Sequence, residues 1–356
     1  MKVSSALTSV LSLAAFAQAA PGTTPVKTLA FPPANQQAHA MTIEQIAAAP
    51  RPQPPPGTPP SVMAPADNGD GFSIQAGCRR TIYRRWGTMA GQDRTNYVNA
   101  FKCLMGRPGR GVWNDGRRHS LYDEMVFVHN NMVNDIHGSD IFLPWHRYYL
   151  YMLRSLMSTE CGFNGPYPWW KENNNVGNFG ASDIFSPQWF GSLPAANGNN
   201  GFCITQGTFA GLINPISGQC VARGERRDMS ANSNQGNEDY VNSRGSYSDM
   251  RANLEGLNHA YGHLAIGPTM SSQSQSPADP VFFLHHSYVD FAWKKWQNQQ
   301  SWRWSSISGC ADKRSPCTPL TVNTRLTSMG LFREMTVGEL LDTEGDVGCY
   351  TYDLLQ

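Results

Sequence analysis

Residues 279–297 read DPVFFLHHSYVDFAWKKWQ, and the pattern within this stretch decides the fold of the 356-residue chain. Asp279 is a natural helix cap, and Pro280 suits the first helical position, where its missing N–H is no loss. Apolar and aromatic side chains then fall on nearly every side, which predicts a helix buried all round. His286 and Asp290, one turn apart, share a face of it. His285 points about 100° away from His286, so these two neighbours are not expected to grip one ion easily.

Upstream, SYSDMRANLEGLNHAYGH (246–263) sets Glu255, His259 and His263 at intervals of four, stacked along one helical face. Histidines at i and i+4 form a ready chelate. Earlier still, Ser120 with Asp123 resembles a capping box, after which Met125, Val128, His129 and Met132 recur at i, i+3, i+4 and i+7. His129 therefore points inward. A further helix is expected to begin near Pro144, with His146 in its first turn and His137 shortly before it.

Seven of the nine histidines thus fall in two compact sets on apolar helices. Burying so many imidazoles without a shared partner would strand their donors and acceptors, and a metal removes that cost. His39, in a proline-rich stretch, and His119, in GRRHS, lack this setting and are expected to be solvated. Ligand sets made only of neutral imidazoles suit copper or zinc rather than magnesium, calcium or manganese. A zinc peptidase would need a glutamate after the first histidine of H-x3-H, but Ala260 stands there. Two three-coordinate copper ions face to face, each with an open position, would suit dioxygen chemistry.

Composition narrows the partners. With 28 Lys+Arg against 27 Asp+Glu, the formal charge is +1, too balanced for a nucleic-acid or anionic-lipid binder. Residues 1–19, MKVSSALTSVLSLAAFAQA, have the basic start, short apolar run and small cleavage residues of a secretory signal. Export makes the eight cysteines candidates for disulfides, with Cys310–Cys317 the simplest local pairing. Between residues 20 and 76 lie 12 of the 24 prolines, so this lead is expected to be extended or disordered, as a pro-segment or spacer, with MTIEQIAAA at 41–49 as a possible docking helix. Residues 77–356 show no repeat and no second low-complexity break, and read as one large domain.

The two histidine sets resemble the type-3 dicopper superfamily of tyrosinases, catechol oxidases and hemocyanins, especially its short secreted fungal members. The first set is H-x7-H-x8-H in His129, His137 and His146, with GSDIFLPWHRYYL around the last. The second is His259 and His263, completed by DPVFFLHHSYVD. By this resemblance His286 is the sixth ligand, His285 stands behind the ligands, and Asp290 orients a ligand imidazole by accepting its other N–H. The resemblance implies a mainly α domain: a four-helix bundle holding two copper ions, wrapped by long loops with little β-structure.

The implied activity is oxidation of o-diphenols to o-quinones, with O2 as co-substrate and small phenols as partners, by a monomer or small homo-oligomer. An o-aminophenol oxidase or a tailoring oxidase of secondary metabolism is the alternative. A hemocyanin-like O2 carrier is more remote, because such carriers are very large assemblies. Where many relatives carry a cysteine that forms a thioether with the second histidine, this chain has Asp135, so no such crosslink is expected. Nor is a C-terminal lid expected beyond Tyr350-Thr351-Tyr352. In tyrosinase-like relatives a glutamate and the residue after the first histidine of the second set hold a deprotonating water. Here those positions are Glu255 and Ala260, and alanine cannot hold water, so monophenol hydroxylation is expected to be weak.

Overall fold

The computed structural model describes residues 28–30 and 80–355, apart from Asn199. The signal at 1–19, most of the proline-rich lead including 41–49, and His39 lie outside the described residues.

Among the described residues, seven longer helices build the domain: α1 Gly91–Gly106, α2 Leu121–Ile136, α3 Phe142–Cys161, α4 Gln235–Asn242, α5 Tyr247–Leu254, α6 Ala260–Ile266 and α7 Val281–Asn298. A π-helical turn, Glu255–His259, fuses α5 and α6 into one rod. Together α2, α3, this rod and α7 form a four-helix bundle, with α7 at its centre against α3, α5 and the π-turn. Burial explains that position. Every α7 residue from Val281 to Gln297 except Lys295 is buried, as expected for a helix apolar on all sides.

Local chemistry sets the helix ends. The Ser120 hydroxyl accepts from Asp123 N at 3.0 Å while the Asp123 carboxylate accepts from Ser120 N at 2.8 Å, so the capping box at α2 is complete. α3 begins two residues before Pro144, which places His146 at the start of the second turn and not in the first. Gly162, at φ 66°, ends α3 by turning the chain left-handed, and Phe163 N reaches back to Met157 O. α7 begins at Val281, so Pro280 is its N-cap and not its first residue; Asp279, one position further out, accepts from Val281 N at 3.1 Å and is itself gripped by the buried Arg223 through both oxygens at 2.7 Å.

The strands are short: β1 Thr28–Ala30, β2 Thr81–Arg85, β3 Pro168–Trp169, β4 Asn200–Cys203, β5 Ala222–Arg223, β6 Arg325–Leu326, β7 Met335–Thr336 and β8 Tyr350–Tyr352. They form sheets ordered β1-β4-β5 and β3-β2-β8, and a β6-β7 pair. β2 and β8 run parallel with Thr81 opposite Tyr350 and Tyr83 opposite Tyr352, which joins the two ends of the described domain. Disulfides link Cys103–Cys161, Cys203–Cys220 and, as expected, Cys310–Cys317. Among the described residues no helix is long and apolar enough to cross a membrane.

Candidate metal centre

Four helices bring seven histidines into one buried chamber. His129 on α2, His137 at its C-terminal cap and His146 on α3 form one group whose ring nitrogens lie within 4.8 Å of one another. His259 at the end of the π-turn, His263 on α6, and His285 and His286 on α7 form a second, equally close group. The groups face each other, for the His146 and His286 rings stack with centroids 4.5 Å apart.

Backbone carbonyls fix how these rings point. Nδ1 of His137, His146 and His259 lies 3.1, 2.8 and 3.0 Å from the carbonyl four residues earlier, on Val133, Phe142 and Glu255. The loop between α6 and α7 serves one histidine of each group: Met270 O meets His263 Nδ1 at 2.7 Å, and Ser274 O meets His129 Nδ1 at 3.0 Å. A carbonyl can only accept, so Nδ1 carries the proton in all five rings and Nε2 presents its lone pair. The Nε2 atoms of His129, His146 and His259 are buried and meet no hydrogen-bond donor. Orphaned acceptors converging in a sealed space are satisfied by a metal ion, so the residues present fit a metal in each group.

His286 is held differently. Its Nδ1 has no partner, and its ring is clasped between Phe282, with centroids 4.0 Å apart, and His146. Its Nε2 lies 3.2 Å from His263 Nε2, so both nitrogens address the same space. Burial drives every one of the seven imidazoles below its ordinary pKa, His129 and His285 to about 3, with neighbouring imidazoles adding to the effect in most of them. They are therefore neutral and ready as ligands at neutral pH.

Several expectations need correction. Asp290 orients no histidine: its oxygens accept Arg147 Nε, Tyr350 OH and Tyr352 OH, each at 2.6 Å. It shares a helical face with His286 but lies a turn further on, where α3 and β8 pack instead of the chamber. The His285 and His286 rings stand nearly perpendicular with centroids 5.2 Å apart, and the ring nitrogens of both belong to the second group. Nor is His119 solvated: its ring stacks on Trp113 with centroids 3.8 Å apart, and Asp115 bonds its Nε2 at 2.7 Å. Glu255 spends both oxygens at 2.7 Å, one on Gly138 N and the other on Arg251, while Ala260 is wholly buried.

Glu172 was not foreseen. It is fully buried, binds His285 Nδ1 and accepts from Ser233 Oγ at 2.9 Å; burial pushes its carboxyl well above the usual range. Nothing in ENNN, which is 113 residues from its partner, signals this. Gly262 was missed as well, although its place inside H-x3-H offered a clue. A Cβ there would stand 2.3 Å from His285 Cε1 and 3.0 Å from Glu172 Oε2, so only glycine admits this pair.

Two facing, buried, all-histidine groups on a helical bundle define a binuclear metal protein. Residues 119–299, just over half of the chain, match the family model described as the common central domain of tyrosinase, and the chain belongs to the tyrosinase family. Its relatives include tyrosinase P of Aspergillus terreus, 26% identical over 330 residues that cover 76% of this chain and 91% of the relative. N-acetyl-6-hydroxytryptophan oxidase ivoB of Emericella nidulans is 24% identical over 344 residues, covering 77% and 92%. The fold is that of a polyphenol oxidase variant from Thermothelomyces thermophila, with a TM-score of 0.65 at 22% identity over 77% of this chain and 88% of that one. The family's type-3 centre holds two copper ions, and the two buried histidine groups fit them.

Proposed function

We propose that this protein oxidises o-diphenols to o-quinones with O2, through one copper held by His129, His137 and His146 and another held by His259, His263 and His286. The observation that carries the reading is the set of carbonyl-anchored imidazoles whose Nε2 atoms find no donor in the protein. His286 is preferred to His285 because it lies against the first group while His285 is tied back to Glu172.

Copper, when bound, supplies the two-electron exchange with O2. The protein's part is geometric and electrostatic. Carbonyl anchors hold the rings, the aromatic walls of Phe142 and Phe282 exclude water, and uncharged imidazoles leave the chamber with no fixed cation. A phenol must lose its proton to bind as phenolate, and the chamber offers little help. Ala260 has no polar side chain, and both oxygens of the Glu255 carboxylate are taken, one by Gly138 N and the other by Arg251. A catechol is more acidic than a simple phenol and brings two oxygens, so it depends less on a base. Diphenols are therefore the preferred substrates, and monophenols are hydroxylated weakly. Disulfide use supports secretion.

A second reading, a tailoring oxidase acting on an elaborated hydroxylated aromatic or an o-aminophenol, draws on the name of the Emericella relative. Steady-state rates on matched catechols, monophenols, o-aminophenols and 6-hydroxyindoles separate the two. Catechols turned over fastest support the first reading; equal hydroxylation of monophenols, or turnover of hydroxyindoles alone, overturns it.

A further inference from the structure

The turn between α2 and α3 carries His137 of the first group and makes a few bonds of its own, Phe142 N to Ser139 O at 3.1 Å and Ser139 Oγ to Asp135 O at 3.3 Å. Further bonds come from the other side of the chamber. Gly138 N donates to Glu255 Oε1 at 2.7 Å, and Tyr247 OH donates to Asp140 O at 2.7 Å. The Asp140 carboxylate accepts Arg251 Nε and Nη2 at 3.2 and 3.0 Å through one oxygen and Cys310 N at 2.7 Å through the other. Asp140 N in turn donates to Cys310 O at 2.7 Å. Arg251 closes the circuit through Glu255 Oε2 at 2.7 Å.

Tyr247, Arg251 and Glu255 recur at intervals of four along the rod that carries His259, and the Glu255 carbonyl is itself the anchor of His259 Nδ1. One residue therefore touches both groups: its carboxylate fixes the residue after His137, and its main chain fixes His259. The Cys310–Cys317 loop packs beneath, tied to Asp140 by a pair of main-chain and side-chain bonds. Gly309, at φ 96°, allows that approach, for a Cβ there would lie 2.0 Å from Asp140 Oδ2.

We propose that Glu255, with Asp140 and Arg251, is a positioning device that sets the separation of the two histidine groups, and that Glu255 is not the proton acceptor for phenols. This rests on the dicopper reading above. Both Glu255 oxygens are committed, the charges of Asp140, Glu255 and Arg251 are interlocked, and all three side chains are largely buried, where charge-assisted bonds are strong. Glutamine at 255 would keep an acceptor for Gly138 N; alanine would keep none.

The test uses copper stoichiometry and electron spin resonance on the full chain, comparing wild type, Glu255→Gln and Glu255→Ala. Two cupric ions held at coupling distance are silent, and the same ions held loosely are not. The wild type should bind two coppers with almost no signal, and Glu255→Gln should stay nearly silent. Glu255→Ala should lose copper or show a several-fold larger signal per bound copper. If Glu255→Ala does not fold, the Cys310→Ser/Cys317→Ser variant replaces it and should raise the signal in the same direction. Two silent coppers in Glu255→Ala, or a Glu255→Gln variant as uncoupled as the alanine one, would overturn the proposal while leaving the dicopper reading intact. A wild type without two coppers would instead overturn that reading.

Discussion

Replacing Asp290 by alanine should destabilise the domain more than any change to an exposed charge. Its carboxylate is the one acceptor shared by Arg147 Nε and the hydroxyls of Tyr350 and Tyr352, all at 2.6 Å. The Arg147 and Asp290 side chains are 1% and 3% exposed, so truncation strands a buried guanidinium and two buried hydroxyls. Breaking such a pair costs about 3–5 kcal/mol. Arg147 keeps the carbonyls of Leu340 and Leu341 and lies 3.6 Å above the Trp293 ring, so the lower part of that range, about 3–4 kcal/mol, is expected. With an unfolding entropy of about 0.6 kcal/mol per kelvin for a domain of this size, the midpoint should fall by about 5–7 °C. Asp290→Asn, which keeps an acceptor but not the charge, should fall less. Thermal denaturation of the three proteins under one metal condition measures this. A shift under about 1 °C in Asp290→Ala would show that the node joining α3, α7 and β8 carries little stability, contrary to the buried-pair reasoning.

Other consequences follow from the chamber. Gly262→Ala should force His285 from Glu172 and cost about 1–3 kcal/mol, the usual penalty of overpacking, read as a lower urea midpoint; an unchanged midpoint would mean that the contact relaxes cheaply. In metal-free protein the folded imidazoles titrate below the ordinary value of about 6.5 while the unfolded ones do not, so the unfolded chain binds more protons across that interval. Stability should therefore fall as the pH drops from about 6.5 towards the value of about 3 held by His129 and His285. Melting chelator-treated protein between neutral pH and about 5, above most carboxylate titrations, checks the sign, and a flat profile would contradict it.

The sequence carried the helices because their signals are local. The capping residues Ser120 and Asp123, the i, i+4 spacing of His259 and His263, and the unbroken apolar character of α7 each operate within a few turns. Periodicity also turns His129, His259, His263 and His286 inward, but it does not show His137 at the C-terminal cap of α2 or His146 in the second turn of α3. What it could not carry is partner choice across the fold. Asp290 shares the face of His286, yet its partners come from α3 and the far end of the chain. Glu172 meets His285 from a loop with no periodic pattern, and His119 is covered by a tryptophan six residues away through a turn that no spacing rule describes. The backbone carbonyls that aim His129 and His263 leave no residue-type signal at all.

Six histidines holding two copper ions are the centre of the proposed chemistry, and metal analysis of histidine variants tests this most directly. Copper per chain should be two in the wild type and in His119→Ala, whose ring packs on Trp113 outside the chamber. It should fall in His263→Ala and in His286→Ala, each of which removes a nitrogen from the second group, together with catechol oxidation. Full copper loading and unchanged oxidation in either of those two variants, or a wild type that takes up no copper, would contradict it.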